Sequence, residues 1–402
     1  VNRRPRVAPP ERRKSCATPF ESVALLLQGG GALGAYQAGV YEALAEHGVE
    51  PTWIAGISIG AINSAIIAGN PPEHRVSRLR EFWELVSDAG DGGFSHFWSG
   101  WLSGDTARSW VNQLAAGTVM SNGVPGFFKP RIPPPYLAHG GAAATSWYDT
   151  GALKTTLERL VDFDRINAKQ TRFSVGAVNV ATGNFAYFDN EMDTICAEHI
   201  MASGALPPAF AAVEIDGEFY WDGGMVSNTP LDWVLSSRSD LDTLVLQVDL
   251  WSARGALPRD LAEVAVRMKE VQFSSRTRAA TDDFKRVQQL RAAFNELLPM
   301  MSDELRASPQ AKLLTEASDP AVFNIVQLVY RSPTYEGQSK DYEFSRATMD
   351  DHWRAGHRDA VETLKHPEVL TLPTQAHGVE VYDFTTPKAE QTPAKSDKDL
   401  NA

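Results

Sequence analysis

Twice between Val23 and Gly69 an apolar strand pattern runs into glycines and out again into a helix pattern. The first unit is Val23 to Gln28, then Gly29-Gly30-Gly31-Ala32-Leu33-Gly34, then a helix over Ala35 to Glu46. The second is a short strand over Thr52 to Ala55, then Gly56-Ile57-Ser58-Ile59-Gly60, then a helix over Ile59 to Gly69. A continuous apolar run suits a strand covered on both faces. The expected fold is therefore α/β.

Each unit has a chemical reading. A glycine two residues either side of Ser58 allows a tight turn, because glycine has no Cβ to clash. Such an elbow pushes the serine Oγ out between strand and helix. The N-terminus of the following helix then favours negative charge at the same spot. The loop Gly29 to Gly34 makes a backbone N–H cradle for an anion. A third motif, Asp222-Gly223-Gly224, follows a short strand over Glu218 to Trp221. Alone it reads as an ordinary Asp-Gly turn. Beside a serine elbow, Asp222 becomes a carboxylate able to take the serine proton. The three motifs describe an ester-cleaving site.

Taken together these stretches resemble the patatin-like phospholipase family. The resemblance runs from about Val23 to Asp232 and includes Ala61-Ile62-Asn63 after the elbow. It also includes Met225-Val226-Ser227-Asn228-Thr229-Pro230 after the third motif, and Ala202-Ser203-Gly204-Ala205-Leu206-Pro207-Pro208-Ala209-Phe210. It implies a three-layer α/β/α sandwich around a mostly parallel sheet. It also implies a dyad with Ser58 as nucleophile and Asp222 as general base, and Gly29, Gly30 and Gly31 as oxyanion donors. Gly34, Gly56, Gly60, Gly223 and Gly224 would support those loops. Many members carry Arg or Lys before the last glycine of the first loop, where this chain has Leu33. The substrate implied is a lipid ester, cleaved in the manner of a phospholipase A or lysophospholipase. Neutral lipids, thioesters and intracellular polyesters remain alternative acyl substrates, and a non-catalytic binding scaffold is a further reading.

Other chemistries fit less well. Gly29, Gly31 and Gly34 match the dinucleotide pattern, but Glu50 precedes the strand that should carry the ribose-binding acid. The Gly-Lys-Ser/Thr of a phosphate-binding loop is absent. His352, His357, His366 and His377 all follow Asp222, so chain order permits a triad histidine. His352 and His357 lie in a charged helical stretch, five residues apart, and read as solvated. No metal or cofactor motif stands out.

The chain has 402 residues, 43% of them hydrophobic, enough for one large domain with an accessory region. No apolar run reaches membrane-spanning length. Cys16 and Cys196 are its only cysteines, which fits a reducing, cytoplasmic setting. Net charge is −12; residues 1–20 carry +5, leaving −17 for the rest. That body repels nucleic acid and anionic lipid at long range. The basic tail could touch a membrane transiently, placing the protein at most at its periphery.

Residues 1–20 and 386–402 read as disordered tails around a core of 21–235 and a C-terminal part of 236–385. Within the core an insertion at about 90–148 holds Phe94, Phe97, Trp98, Trp101, Phe127, Phe128, Pro133, Pro134, Pro135 and Tyr136. It is a candidate lid or acyl-chain entrance. Strands are expected over Phe173 to Val180, Phe185 to Phe188, Thr243 to Leu250 and Ala321 to Tyr330. Helices are expected over Arg259 to Leu298 and Ser345 to Leu364. These charged helices could pair with a second copy, cap the entrance, or simply complete the core.

Overall fold

The computed structural model describes residues 18–88, 116–237, 241–318, 321–332, 336–373 and 378–385. Most of both expected tails, and Phe94, Phe97, Trp98 and Trp101, lie outside the described residues. Phe20, assigned to the basic tail from sequence, is buried in the core instead.

The chain begins β1 (Ser22–Leu27), α1 (Ala35–Glu46), β2 (Trp53–Gly56), α2 (Ile59–Ala68) and α3 (Pro72–Val86). Two short strands, β3 (Lys129–Pro130) and β4 (Tyr148–Asp149), form a separate ribbon. Then come β5 (Arg172–Asn179), β6 (Phe185–Asp189), β7 (Val213–Ile215) and β8 (Glu218–Asp222). The C-terminal part adds β9 (Thr243–Asp249), β10 (Phe323–Val329) and β11 (Val379–Asp383). It also adds two long helices, Leu261–Leu297 and Arg346–Leu364.

Nine strands form one sheet. Six run parallel in the order β11, β10, β9, β1, β2, β5. β1 lies mid-sheet, and all six of its residues are buried. Val23, Leu25 and Leu27 face the larger core with α1, α2 and α3, while Ala24 and Leu26 face a second core with Leu231, Val234 and Phe284. Alternation across one strand thus builds the three layers.

The far end of the sheet positions the site. β2 pairs with β5 only as far as Gly56 opposite Val175. β8 pairs antiparallel with β5 from Asp222 opposite Ala177 to Tyr220 opposite Asn179. β6 pairs with β5 over Ser174 to Val178, overlapping both, so it takes the opposite edge. β2 and β8 therefore share one edge of β5, end to end, and their C-terminal ends meet at Gly176.

The C-terminal helix Arg346–Leu364 lies on α1 at close range. A methyl group on Gly39 would overlap the Trp353 carbonyl, and one on Gly356 would overlap the Tyr36 carbonyl. Backbone meets backbone there, so neither neighbour can swing away. Gly39→Ala and Gly356→Ala should each destabilise the fold by about 1–3 kcal/mol. Chemical denaturation checks this; an unchanged midpoint would show that the helices can separate freely.

Candidate active site

Ser58 is the second of the two residues between the end of β2 and the start of α2. Its φ of 56° and ψ of −123° are unusual for a residue with a side chain. Such a conformation costs on the order of 1–3 kcal/mol and needs support. The support is local and dense. A methyl on Gly56 would strike the Gly60 backbone, and one on Gly60 the Leu27 carbonyl, so strand and helix can close only on glycine. The Ser58 N–H donates to Ser203 Oγ at 3.0 Å, and Ser203 Oγ donates to the Gly176 carbonyl at 2.6 Å. Ser203 lies on the helix Ala197–Ser203, so a third element fixes the elbow.

Asp222 ends β8 and is 2% exposed. Its Oδ1 accepts the Gly224 N–H at 2.7 Å, and its carboxylate lies beside the Ser58 side chain. Burial pushes its pKa up to about 6, against the lowering effect of Ser58 and the Gly224 N–H. The result is a carboxyl group more basic than an ordinary aspartate, beside a serine hydroxyl. Gly223 packs on the Gly176 carbonyl, beneath the junction.

The glycine loop divides its donors unevenly. The Gly29 N–H is committed to the Asn228 carbonyl at 3.2 Å. The Gly29 carbonyl accepts from Asn228 Nδ2 at 3.0 Å and Trp251 Nε1 at 2.9 Å. Gly30 and Gly31 N–H have no acceptor among the described residues, and both residues line the cavity. The Ile59 N–H, the first of α2, is also without an acceptor there and also borders the cavity. Gly34 packs against Ile59 and Trp83, locking loop to elbow.

Gln28 ties this loop to its neighbours. Its Nε2 donates to Thr229 Oγ1 at 2.9 Å, and its Oε1 accepts the Leu250 and Trp251 N–H groups at 2.6 and 3.0 Å. Asp249, below Thr229, is fully buried, and that burial pushes its pKa up to about 7 despite hydrogen bonds from Gln247 and Thr229.

Ser58 and Asp222 open into a cavity of about 360 Å³. Ile62, Val119, Phe127, Phe128, Phe210 and Phe344 make its walls apolar. Phe128 stands 5.3 Å from both Phe127 and Phe210, ring centre to ring centre. Phe127 and Phe128 thus give the aromatic insertion a place in the cavity wall. The C-terminal part contributes as well. Trp251, Phe273, Asp341 and Tyr342 all line the cavity. Among the described residues, no cluster of three His, Cys, Asp or Glu side chains could hold a metal ion.

One expectation is overturned. His352, read as solvated, is 1% exposed and paired with Glu336. His357 is the partly exposed one and meets Glu46 at 2.8 Å. The charged stretch around His352 hid a partner that comes from the segment between β10 and the helix Arg346–Leu364. Asp341 and Trp251 also escaped the sequence reading. Ser203 and Asn228 stood inside recognised motifs, but without a role.

A family model described as patatin-like phospholipase matches residues 25–235. The chain belongs to the patatin-like phospholipase family. A second model, described as patatin phospholipase, matches residues 271–376, so the C-terminal part belongs to the same kind of protein. No curated protein matches the chain. Among solved structures, it is similar to VipD from Legionella pneumophila at 16% identity, covering 86% of this chain and 67% of that one, with a TM-score of 0.38. It is also similar to the heterodimeric ExoU–SpcU complex from the type III secretion system of Pseudomonas aeruginosa. There the identity is 15%, the coverage 79% and 67%, and the TM-score 0.26. Family membership makes this patatin-like protein a lipid ester hydrolase. No helix among its described residues is long and apolar enough to cross a membrane.

Ser203 tests how the elbow is held. Ser203→Ala strands the buried Ser58 N–H and the Gly176 carbonyl, and should cost about 1–3 kcal/mol of stability. Thermal or urea unfolding reads this directly. Unaltered stability would mean that the elbow needs no third element.

Proposed function

We propose that this patatin-like protein is a serine acyl hydrolase of phospholipase A or lysophospholipase type, working through a Ser58–Asp222 dyad. The observation that carries this reading is Ser58 beside a buried, unusually basic Asp222, both lining one apolar cavity. Asp222 takes the hydroxyl proton as Ser58 Oγ attacks the ester carbonyl. The N–H groups of Gly30, Gly31 and Ile59 receive the oxyanion, each such donor contributing roughly 3–4 kcal/mol. Gly29 supports the loop and does not donate, since its N–H is already used. The proton on Asp222 passes to the departing alcohol, leaving an acyl-enzyme. Water, deprotonated by the same carboxylate, attacks that ester and regenerates Ser58.

The cavity walls favour an acyl chain over a polar group. Met120 and Leu206 line the cavity and are also exposed. An apolar rim of this kind suits substrate drawn from a lipid surface.

Hydrolysis of p-nitrophenyl esters from C4 to C16, with phosphatidylcholine and lysophosphatidylcholine in parallel, tests the proposal. Ser58→Ala and Asp222→Asn should each lose about 10³-fold or more in turnover with the fold intact. Turnover by Ser58→Ala close to wild type would refute the reading. The long esters should outperform C4, because they fill the apolar walls.

The same dyad sets an acid limit. Asp222 accepts a proton only when ionised, and burial has moved its pKa up to about 6. kcat/KM should therefore rise with pH through about 6. A profile flat down to the ordinary aspartate range would remove Asp222 as the base.

A further inference from the structure

The glycine loop carries no charged side chain between Gly29 and Gly34. It is gripped from outside at Ala32. The Ala32 N–H donates to the Asp341 carbonyl at 2.8 Å, and the Asp341 carboxylate is held by Lys269 Nζ at 2.7 and 2.9 Å. On the other side of that residue, the Ala32 carbonyl faces His352 Nδ1 at 3.4 Å. Nε2 of the same ring lies 3.1 Å from Glu336 Oε1.

The chemistry of these two contacts fixes the charge of the ring. A backbone carbonyl can only accept a hydrogen bond, and so can an ionised carboxylate. A neutral imidazole has a single N–H and could serve only one of them. The imidazolium serves both. Glu336 is suited to remain ionised: its Oε1 also accepts from the Tyr330 hydroxyl, and Lys340 lies near enough to favour its charge. Burial alone would raise the Glu336 pKa, but the charge and hydrogen bond of His352, with Tyr330 and Lys340, outweigh it and hold the group below the ordinary glutamate value. Burial alone would lower the His352 pKa. The carboxylates of Glu336 and Glu343 and the Ala32 carbonyl outweigh that and hold it above the ordinary histidine value. The groups facing the ring are thus Glu336, Glu343, the Tyr330 ring at 5.1 Å and the Ala32 carbonyl.

We propose that His352, as a buried imidazolium, is a positioning residue for the ester hydrolysis: it pins the Ala32 carbonyl so that the Gly30 and Gly31 N–H groups stay open to the cavity, and it turns the positive end of its ion pair with Glu336 toward the loop. This rests on the acyl-hydrolase reading above. The buried pair is little screened by salt, so its positive end acts on the developing oxyanion through the loop peptides. His352 does not touch substrate. Its loss acts through the geometry and field of the donors.

The test is the pH profile of kcat/KM on a long p-nitrophenyl ester, for the full chain and for His352→Gln. Glutamine can still donate to Ala32 but carries no charge and does not titrate. Wild type should lose activity on the alkaline side as the ring deprotonates. His352→Gln should be about 10-fold to 100-fold slower on the plateau, mainly in kcat. Its alkaline limb should be gone and its acid limb from Asp222 kept. An alkaline limb unchanged in His352→Gln would overturn the proposal. Nitrogen NMR of the wild-type protein labelled at histidine gives an answer that needs no variant to fold. One imidazole should keep both ring nitrogens protonated to a higher pH than an ordinary histidine, after the exposed rings have lost a proton. If every ring loses its proton together, the proposal fails. If Ser58→Ala hydrolyses the ester as fast as wild type, the hydrolase reading fails first and this one falls with it. Ser58-dependent hydrolysis with an indifferent His352→Gln defeats this proposal alone.

Discussion

Everything at the site depends on how β5 shares one of its edges. β2 occupies that edge up to Val175, and β8 occupies it from Ala177. One arrives parallel and the other antiparallel, so both end at Gly176. A serine two residues past the end of β2 and an aspartate at the end of β8 must therefore meet. The rest is reinforcement of this junction: Ser203 bonds to the Gly176 carbonyl, Gly223 packs on it, and the glycine loop closes from the adjoining strand β1. A serine and a single carboxylate suffice for proton transfer only when the carboxylate is kept dry. The same packing that ends both strands buries Asp222 and raises its proton affinity. Topology and basicity thus have one cause.

The C-terminal part belongs to the site as much as the core does. The long helix Leu261–Leu297 brings Lys269 to Asp341 and offers the Phe273 carbonyl to Gln28 and Asn228, both beside the glycine loop. The helix Arg346–Leu364 lies on α1 and carries His352 to Ala32. A loop made of glycine has many conformations to lose. Here it is held at Gly29 by Asn228 and Trp251, at Ala32 by Asp341 and His352, and at Gly34 by Ile59 and Trp83. That leaves Gly30 and Gly31 as the residues whose N–H groups face open space.

Much of this was legible in the sequence because it is local. The helix α1 falls on Ala35 to Glu46 as expected, and the strand before Asp222 and the hairpin after Phe173 fall within a residue or two. Glycine spacing marks turns, and apolar runs mark buried strands; neither needs a distant partner. The misses are all long-range. Nothing near Gly29 signals that Asn228, far along the chain, takes its N–H. Nothing near His352 signals Glu336, since the surrounding acids and bases read as a wet helix face. The role of Phe127 and Phe128 depends on Phe210 and Phe344, which sit in other segments. Sequence pattern reports period and turn, and pairing across the fold is what it omits.

The central claim is that Ser58 is a nucleophile made reactive by Asp222. The most direct measurement is covalent labelling with a fluorophosphonate, followed by peptide mass spectrometry. The account predicts a single modified residue, Ser58, labelled rapidly in the wild type and far more slowly in Asp222→Asn. Labelling at another serine, or at Ser58 with equal speed in both proteins, would contradict it.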